Sequence, residues 1–251
     1  MNINIDTIQK EIDQLFGKYK IPALTKNLPM QNLQEWSIKV AKHFKLDEES
    51  FRQAVTELFW SMANVQLSLG HTLIALQECD FVDGIQGIAL HEKEVPNIKM
   101  PEIYFWYYVS VSYECIYRCW ERINNVIMHV CFPHLSEKEF KRKYFPETIS
   151  DLQKNPKYNQ IVHLKELQSH VEYRKKVADI RNEISHGKSS PIRNMRIEGK
   201  VSELLGVNGL PFIYLDYSGK SLNAELNSII DKYREVLPAI KAMKDFIDSI
   251  E

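Results

Sequence analysis

The residues of this chain best suited to chemistry are Arg181-Asn182-Glu183-Ile184-Ser185-His186-Gly187. A guanidinium is always cationic and presents a planar fork to phosphate oxygens. An imidazole titrates near neutrality, so His186 can take or give a proton. On a helix, Asn182 and His186 are four apart and share a face. Arg181 and His186 differ by five positions, about 140° around the axis, and both are long enough to converge on a ligand above Asn182. Together these groups suit a phosphodiester whose protons are moved with no metal. Arg122 and His129 fit a looser form of the pattern, but Ile123 follows that Arg and the run is apolar. They read as core-edge residues on one helix face.

A late helix must position the motif. Leu164, Leu167, Val171, Val177, Ile180 and Ile184 form an apolar stripe that predicts one long helix from about Tyr158 to His186, with Gly187 placed to end it. Ile180 and Ile184 then face the core while Arg181, Asn182, Ser185 and His186 project away. Upstream, residues 4–19 carry Ile5, Ile8, Ile12, Leu15 and Phe16 at helical spacing. Pro22 and Pro29 mark a connecting loop to about Asn32, and a second helix covers Leu33 to Phe44. Asp47 is an N-cap for a third helix whose stripe runs Phe51, Val55, Leu58, Phe59, Met62, Val65, Leu69, Leu73. Asp83-Gly84 breaks that run, and Val95-Pro96 to Met100-Pro101 forms a linker. Glu102 to Cys131 is apolar on most faces, the pattern of a central bundle helix, and Pro133 ends it. Ser136 to Glu139 is a capping box opening a short basic helix through Tyr144. Ile192 to Tyr217 is the β-prone region, with Phe212 to Tyr217 bounded by Pro211 and Gly219, and predicts a small hairpin. Leu222 to Ile250 predicts a last amphipathic helix kinked at Pro238. The expected fold class is mainly α, with residues 1–100 an N-terminal helical region and 101–251 the domain that carries the motif.

Arg181-Asn182-x3-His186-Gly187 on a late helix of an α-helical chain resembles the signature of the HEPN superfamily. Glu102 to Cys131 resembles the long antiparallel partner helix of that family's bundle. The resemblance covers roughly residues 100–250 and implies a HEPN-like antiparallel helical bundle. It further implies a homodimer in which the motif pairs across a two-fold axis to form one composite cleft. Many members are metal-independent endoribonucleases of toxin–antitoxin, CRISPR and antiphage systems. Others are inactive or serve as nucleotide-binding or regulatory modules.

By that resemblance His186 is the general acid or base, acting on the ribose 2′-hydroxyl or on the leaving 5′-oxygen. Arg181 holds the scissile phosphate, and Asn182 orients phosphate or the partner's His. Attack by the 2′-hydroxyl leaves a 2′,3′-cyclic phosphate, needs no metal or other cofactor, and excludes DNA as a substrate. Toxins of the family that are silenced by a nucleotidyltransferase antitoxin carry Tyr two residues after the motif His. Lys188 stands there instead, which argues against control by AMPylation at that position. An acidic residue of the preceding helix often supports the motif Arg; Glu114 and Glu121 both qualify.

Composition sets the limits around this reading. A 26% charged, 44% hydrophobic chain of 251 residues has the make-up of a folded protein, not a disordered one. Its net charge of −1 supplies no global field for nucleic acid, so RNA contact has to come from a local patch. Lys188, Arg193 and Arg196, followed by Lys200, are such a patch beside the motif and are candidates for gripping RNA phosphates. Lys138, Lys141, Arg142 and Lys143 read instead as a solvated helix face. Cys79, Cys115, Cys119 and Cys131 lack a Cys-x2-Cys knuckle and read as buried thiols, so no metal site is expected from them. Tyr104 to Tyr108 are five consecutive aromatics, better suited to core and dimer packing than to base stacking.

The first ten residues lack a basic region followed by an apolar one, and Ile103 to Tyr117 is too short and too charged to span a bilayer. A cytoplasmic protein with no membrane contact is expected. The expected activity is endoribonuclease action in bacterial defence or as a toxin, with an antitoxin or sensor protein as a further partner. The alternative is a non-catalytic HEPN-like nucleotide- or RNA-binding module, and a third is a structural subunit with a vestigial motif.

Overall fold

The computed structural model describes residues 5–79, 85–89, 100–140, 142–185, 195–196, 212–216 and 219–250. The chain is mainly helical. Two long helices, α4 (Glu48–Glu78) and α5 (Met100–Cys131), pack along each other and form the centre of the molecule. Asp47 caps α4 as its sequence position predicts: one carboxylate oxygen accepts from the backbone amides of Glu49 and Ser50 at 2.9 and 3.1 Å. Phe51, Leu58, Met62, Val65, Leu69 and Leu73 of α4 are fully buried against Tyr113, Ile116, Trp120, Ile123 and Ile127 of α5. Each such side chain contributes roughly 1.5–3 kcal/mol by leaving water.

On one side of this pair lie α1 (Ile5–Lys18), α2 (Leu24–Asn27) and α3 (Met30–Phe44). The loop expected up to Asn32 is therefore shorter than predicted. Pro29 is the N-cap of α3 with φ −61°, a place where its missing amide costs no hydrogen bond. Gly70 of α4 makes room for α1: a Cβ there would meet three side-chain atoms of Ile12 at 2.7–2.8 Å.

The segment after α5 differs most from expectation. α6 (Glu137–Phe140) keeps the capping box, with the Ser136 amide donating to Glu139 at 3.0 Å, but it stops short of Tyr144. Tyr144 instead opens a further helix, α7 (Phe145–Lys154), whose Glu147 accepts from the Tyr144 amide at 2.7 Å. The predicted long helix 158–186 is two helices, α8 (Val162–Ser169) and α9 (Val171–Ser185), joined at His170. The break lets one stripe serve two partners. Leu164 and Leu167 face the C-terminal helix, while Val177 and Ala178 face α5.

The last helix is likewise divided, into α10 (Gly219–Arg234) and α11 (Val236–Asp248). Pro238 lies in the first turn of α11, where it needs no amide partner, so the chain restarts before it rather than kinking at it. Residues 1–100 and 101–251 share one buried cluster, running from Ile12 to Ile250. Trp36 Nε1 of α3 donates to Asp248 of α11 at 2.8 Å, and the Tyr233 hydroxyl of α10 donates to the Pro22 carbonyl at 2.7 Å.

Among the described residues, β1 (Ile85–Ala89), β2 (Met195–Arg196) and β3 (Phe212–Asp216) pair antiparallel in the order β1-β3-β2. β1 follows Asp83-Gly84, where the sequence signals only a break. No described helix is long and apolar enough to cross a membrane.

Candidate functional site: an arginine held by Glu114 and Tyr117

Arg181 sits in the last turn of α9, and what surrounds it comes from α5. Val177 and Ala178 are buried, with Ile180 and Ile184 partly buried against the same core, so the α9 face beside them meets α5. On that face Arg181 Nε donates to Glu114 Oε2 at 2.8 Å, and its guanidinium lies 5.0 Å from the Tyr117 ring centre. The second Glu114 oxygen accepts from Arg118 Nε, also at 2.8 Å. Burial alone pushes the Glu114 carboxyl up, but the two arginines together outweigh it and hold it below the usual carboxylate range. The Glu114 bond in turn raises the Arg181 guanidinium above its already high value. The pair is only partly buried, with side-chain exposures of 34% and 31%, so its task is orientation more than stability.

Two turns earlier on α9 the arrangement repeats. Arg174 Nη2 donates to Glu121 Oε1 at 2.7 Å, and its guanidinium lies 5.2 Å from the Tyr117 ring and 5.5 Å from that of Tyr144. Arg174 is buried and its Nε has no hydrogen-bond partner among the described residues. Tyr117 thus lies within cation–π reach of both arginines. The structure assigns the two acidic candidates one each: Glu114 to Arg181 and Glu121 to Arg174.

Asn182 is exposed, and its carbonyl accepts from Arg181 Nη1 at 3.2 Å. Arg181 Nη2 has no partner among the described residues, and its donors are the part of the guanidinium that those residues leave for an acceptor. His186, Lys188 and Arg193 lie outside the described residues. Arg196 is described by its backbone alone, as the β2 residue opposite Tyr214. The structure therefore brings Arg181 and Asn182 together and adds Glu114, Tyr117 and Arg118 to them.

Glu114 and Glu121 are seven apart on one helix, and Arg174 and Arg181 seven apart on another. That matched spacing was the available signal for the second pair.

The other singled-out features take structural places. Lys143 pairs with Asp151 at 2.6 Å and lies 4.1 Å above the Phe132 ring. Phe105 and Trp106 are buried, Tyr104 and Tyr107 are exposed, and Tyr108 stacks on His71 at 4.8 Å. Burial pushes the Cys131 thiol up to about 12 and raises those of Cys115 and Cys119, making all three poor nucleophiles. His163, Glu166 and Asp245 each place one potential ligand atom within 4.8 Å of the others, on α8 and α11, elements that do not contribute to the arginine site. Exposed acidic groups often gather in this way without a metal. No family model, curated protein or solved structure matches the chain.

Proposed function

We propose that this chain is a metal-independent endoribonuclease with a HEPN-like antiparallel bundle and a hairpin over 192–217, acting as a homodimer in bacterial defence or as a toxin. The observation that supports this reading is the Arg181 guanidinium, held at Nε by Glu114 and over Tyr117, whose Nη2 has no partner among the described residues and can donate to an acceptor such as a phosphate oxygen. A guanidinium fixed in this way loses little further freedom on binding phosphate, which is what transition-state stabilisation requires. In this mechanism Arg181 holds the scissile phosphate and offsets the charge that develops on it. His186, next after Ser185 in the sequence, moves the proton of the 2′-hydroxyl or of the leaving 5′-oxygen. Asn182 braces the Arg181 fork, and Lys188, Arg193 and Arg196 grip flanking phosphates. The bond formed is 2′-oxygen to phosphorus and the bond broken is phosphorus to 5′-oxygen, leaving a 2′,3′-cyclic phosphate.

The test is incubation of the purified protein with total cellular RNA in EDTA, beside His186→Ala and Arg181→Ala. Cleavage by the wild type alone, with cyclic phosphate ends, supports the reading. Equal cleavage by all three proteins rejects it. Saturable RNA or nucleotide binding that Arg181→Ala abolishes, with no product from any form, replaces it with the non-catalytic binding module.

A further inference from the structure

Away from the arginine site, His129 stands between two adjoining clefts. One, of about 570 Å³, is walled by Phe44, Phe132, Phe140 and Asp47. The other, of about 510 Å³, is walled by Gln53, Glu57 and Asn125. Ser50, Leu135, Phe140 and His129 line both. Each volume falls in the range of small-molecule sites, roughly 300–1,000 Å³.

The polar groups here are only partly spent. His129 is half-buried, with the Phe51 ring at 6.2 Å and that of Phe140 at 5.0 Å, both near edge-on. Neither of its ring nitrogens has a hydrogen-bond partner among the described residues. A neutral imidazole carries one donor and one acceptor, and at this half-buried position both are left for solvent or a ligand to meet. Asp47 uses one carboxylate oxygen to cap α4 and keeps the other. Arg122, by contrast, is committed. It pairs with Glu57 at 2.8 Å, and the Asn125 carbonyl accepts from it at 3.2 Å in the amide orientation that satisfies both groups; the other Glu57 oxygen accepts from Gln53 Nε2 at 3.3 Å, which leaves a second lone pair on each Glu57 oxygen for a ligand. Its charge is therefore not available to seat a phosphate.

What such walls accept is a flat ring with N–H groups on its edge. The phenylalanines offer π faces and edges, the carboxylates of Asp47 and Glu57 accept hydrogen bonds, and His129 can both give and take one. We propose that the clefts around His129 bind an aminopurine base or nucleoside, its ring among Phe44, Phe132 and Phe140 and its amino edge toward His129 and a carboxylate. This site is independent of the ribonuclease reading, since it uses none of the residues around Arg181.

The test is calorimetric titration of the full chain with guanosine, adenosine and uridine, the last lacking an exocyclic amine. The expected result is saturable binding of guanosine or adenosine, with uridine weaker. His129→Leu should weaken purine binding about tenfold, the worth of one good hydrogen bond, and Glu57→Gln by a smaller factor, because a neutral amide carbonyl is a weaker acceptor than a carboxylate. Arg181→Ala should leave it unchanged. Should His129→Leu lower the melting temperature sharply, Glu57→Gln carries the readout, because the Glu57–Arg122 pair is about 40% exposed and its loss costs little stability. Absence of saturable purine binding up to about 1 mM overturns the proposal, as does uridine binding equally well or binding that neither cleft variant weakens.

Discussion

Glu114 divides its carboxylate between two guanidiniums, taking Arg181 Nε on one oxygen and Arg118 Nε on the other, each at 2.8 Å. Arg118 is on the same helix one turn away, while Arg181 reaches across from α9. One acidic group thus fixes the motif arginine relative to the long central helix. The spacing repeats at Glu121 and Arg174, so α5 and α9 are joined by two rungs in antiparallel register, with Tyr117 in contact with both arginines.

Glu114→Gln should separate orientation from stability. The pair is about one-third exposed, so its loss should cost no more than about 1 kcal/mol in a denaturant melt. On the proposed ribonuclease reading, RNA cleavage should fall at least about tenfold, because a misplaced guanidinium loses its alignment with the reacting phosphate. A variant that cleaves normally would show that Arg181 needs no positioning by α5.

Glu121→Gln should behave in the opposite way. Arg174 is buried, and without Glu121 its charge keeps, among the described residues, the Tyr117 hydroxyl at 3.4 Å and the rings of Tyr117 and Tyr144 beside it. Breaking a buried pair from one side costs about 3–5 kcal/mol; 25% exposure of Glu121 places the expectation at the lower end, about 3 kcal/mol. Replacing both partners, Glu121→Leu with Arg174→Met, should recover much of that loss. Urea melts of the three proteins check this, and a single variant as stable as the wild type would refute the assignment.

How much of this was legible beforehand depends on range. Asp47 as a cap, the α4 stripe from Phe51 to Leu73 and the Ile180–Ile184 face follow from local pattern, and the structure has them. The His170 break does not follow, because the stripe continues through it: Leu164, Leu167, Val171 and Val177 keep helical spacing although α8 and α9 serve different partners. The interruption is tertiary, with His170 buried beside Trp120 and Glu235. The choice between Glu114 and Glu121 is tertiary too, since it depends on the register of α5 against α9. β1 was missed for a similar reason: Ile85 to Ala89 includes Gly87 and gains its partner, β3, from more than a hundred residues away.

Gly70→Ala tests the packing of α1 on α4. Alanine favours a helix over glycine by up to about 1 kcal/mol, but the added methyl would sit 2.7–2.8 Å from Ile12, which is itself buried. Overpacking of this kind costs about 1–3 kcal/mol, so the net change should be destabilising. Ile12→Ala opens the space that the methyl needs. The double variant should therefore be more stable than the sum of the two single losses, by a margin read in a double-mutant cycle.

Acid should destabilise the protein through its buried histidines. Burial depresses the pKa of His71, His129 and His170 below the ordinary value of 6.5. At His170, Glu235 and Glu166 pull the other way without overcoming burial; Glu235 Oε2 lies 3.3 Å from Nδ1, too poorly aligned for a hydrogen bond. In the unfolded chain these groups protonate as pH falls through about 6.5, while in the folded chain they resist until lower pH. Between the two values the unfolded state binds more protons, so stability is full above the unfolded pKa and declines as pH drops through this window. Each histidine can contribute a slope of at most about 1.4 kcal/mol per pH unit. Denaturant melts at pH 7.5, 6.5 and 5.5 should show the decline, and His170→Gln, which does not titrate, should flatten part of it. A slope unchanged in that variant would place the acid sensitivity at His71 and His129.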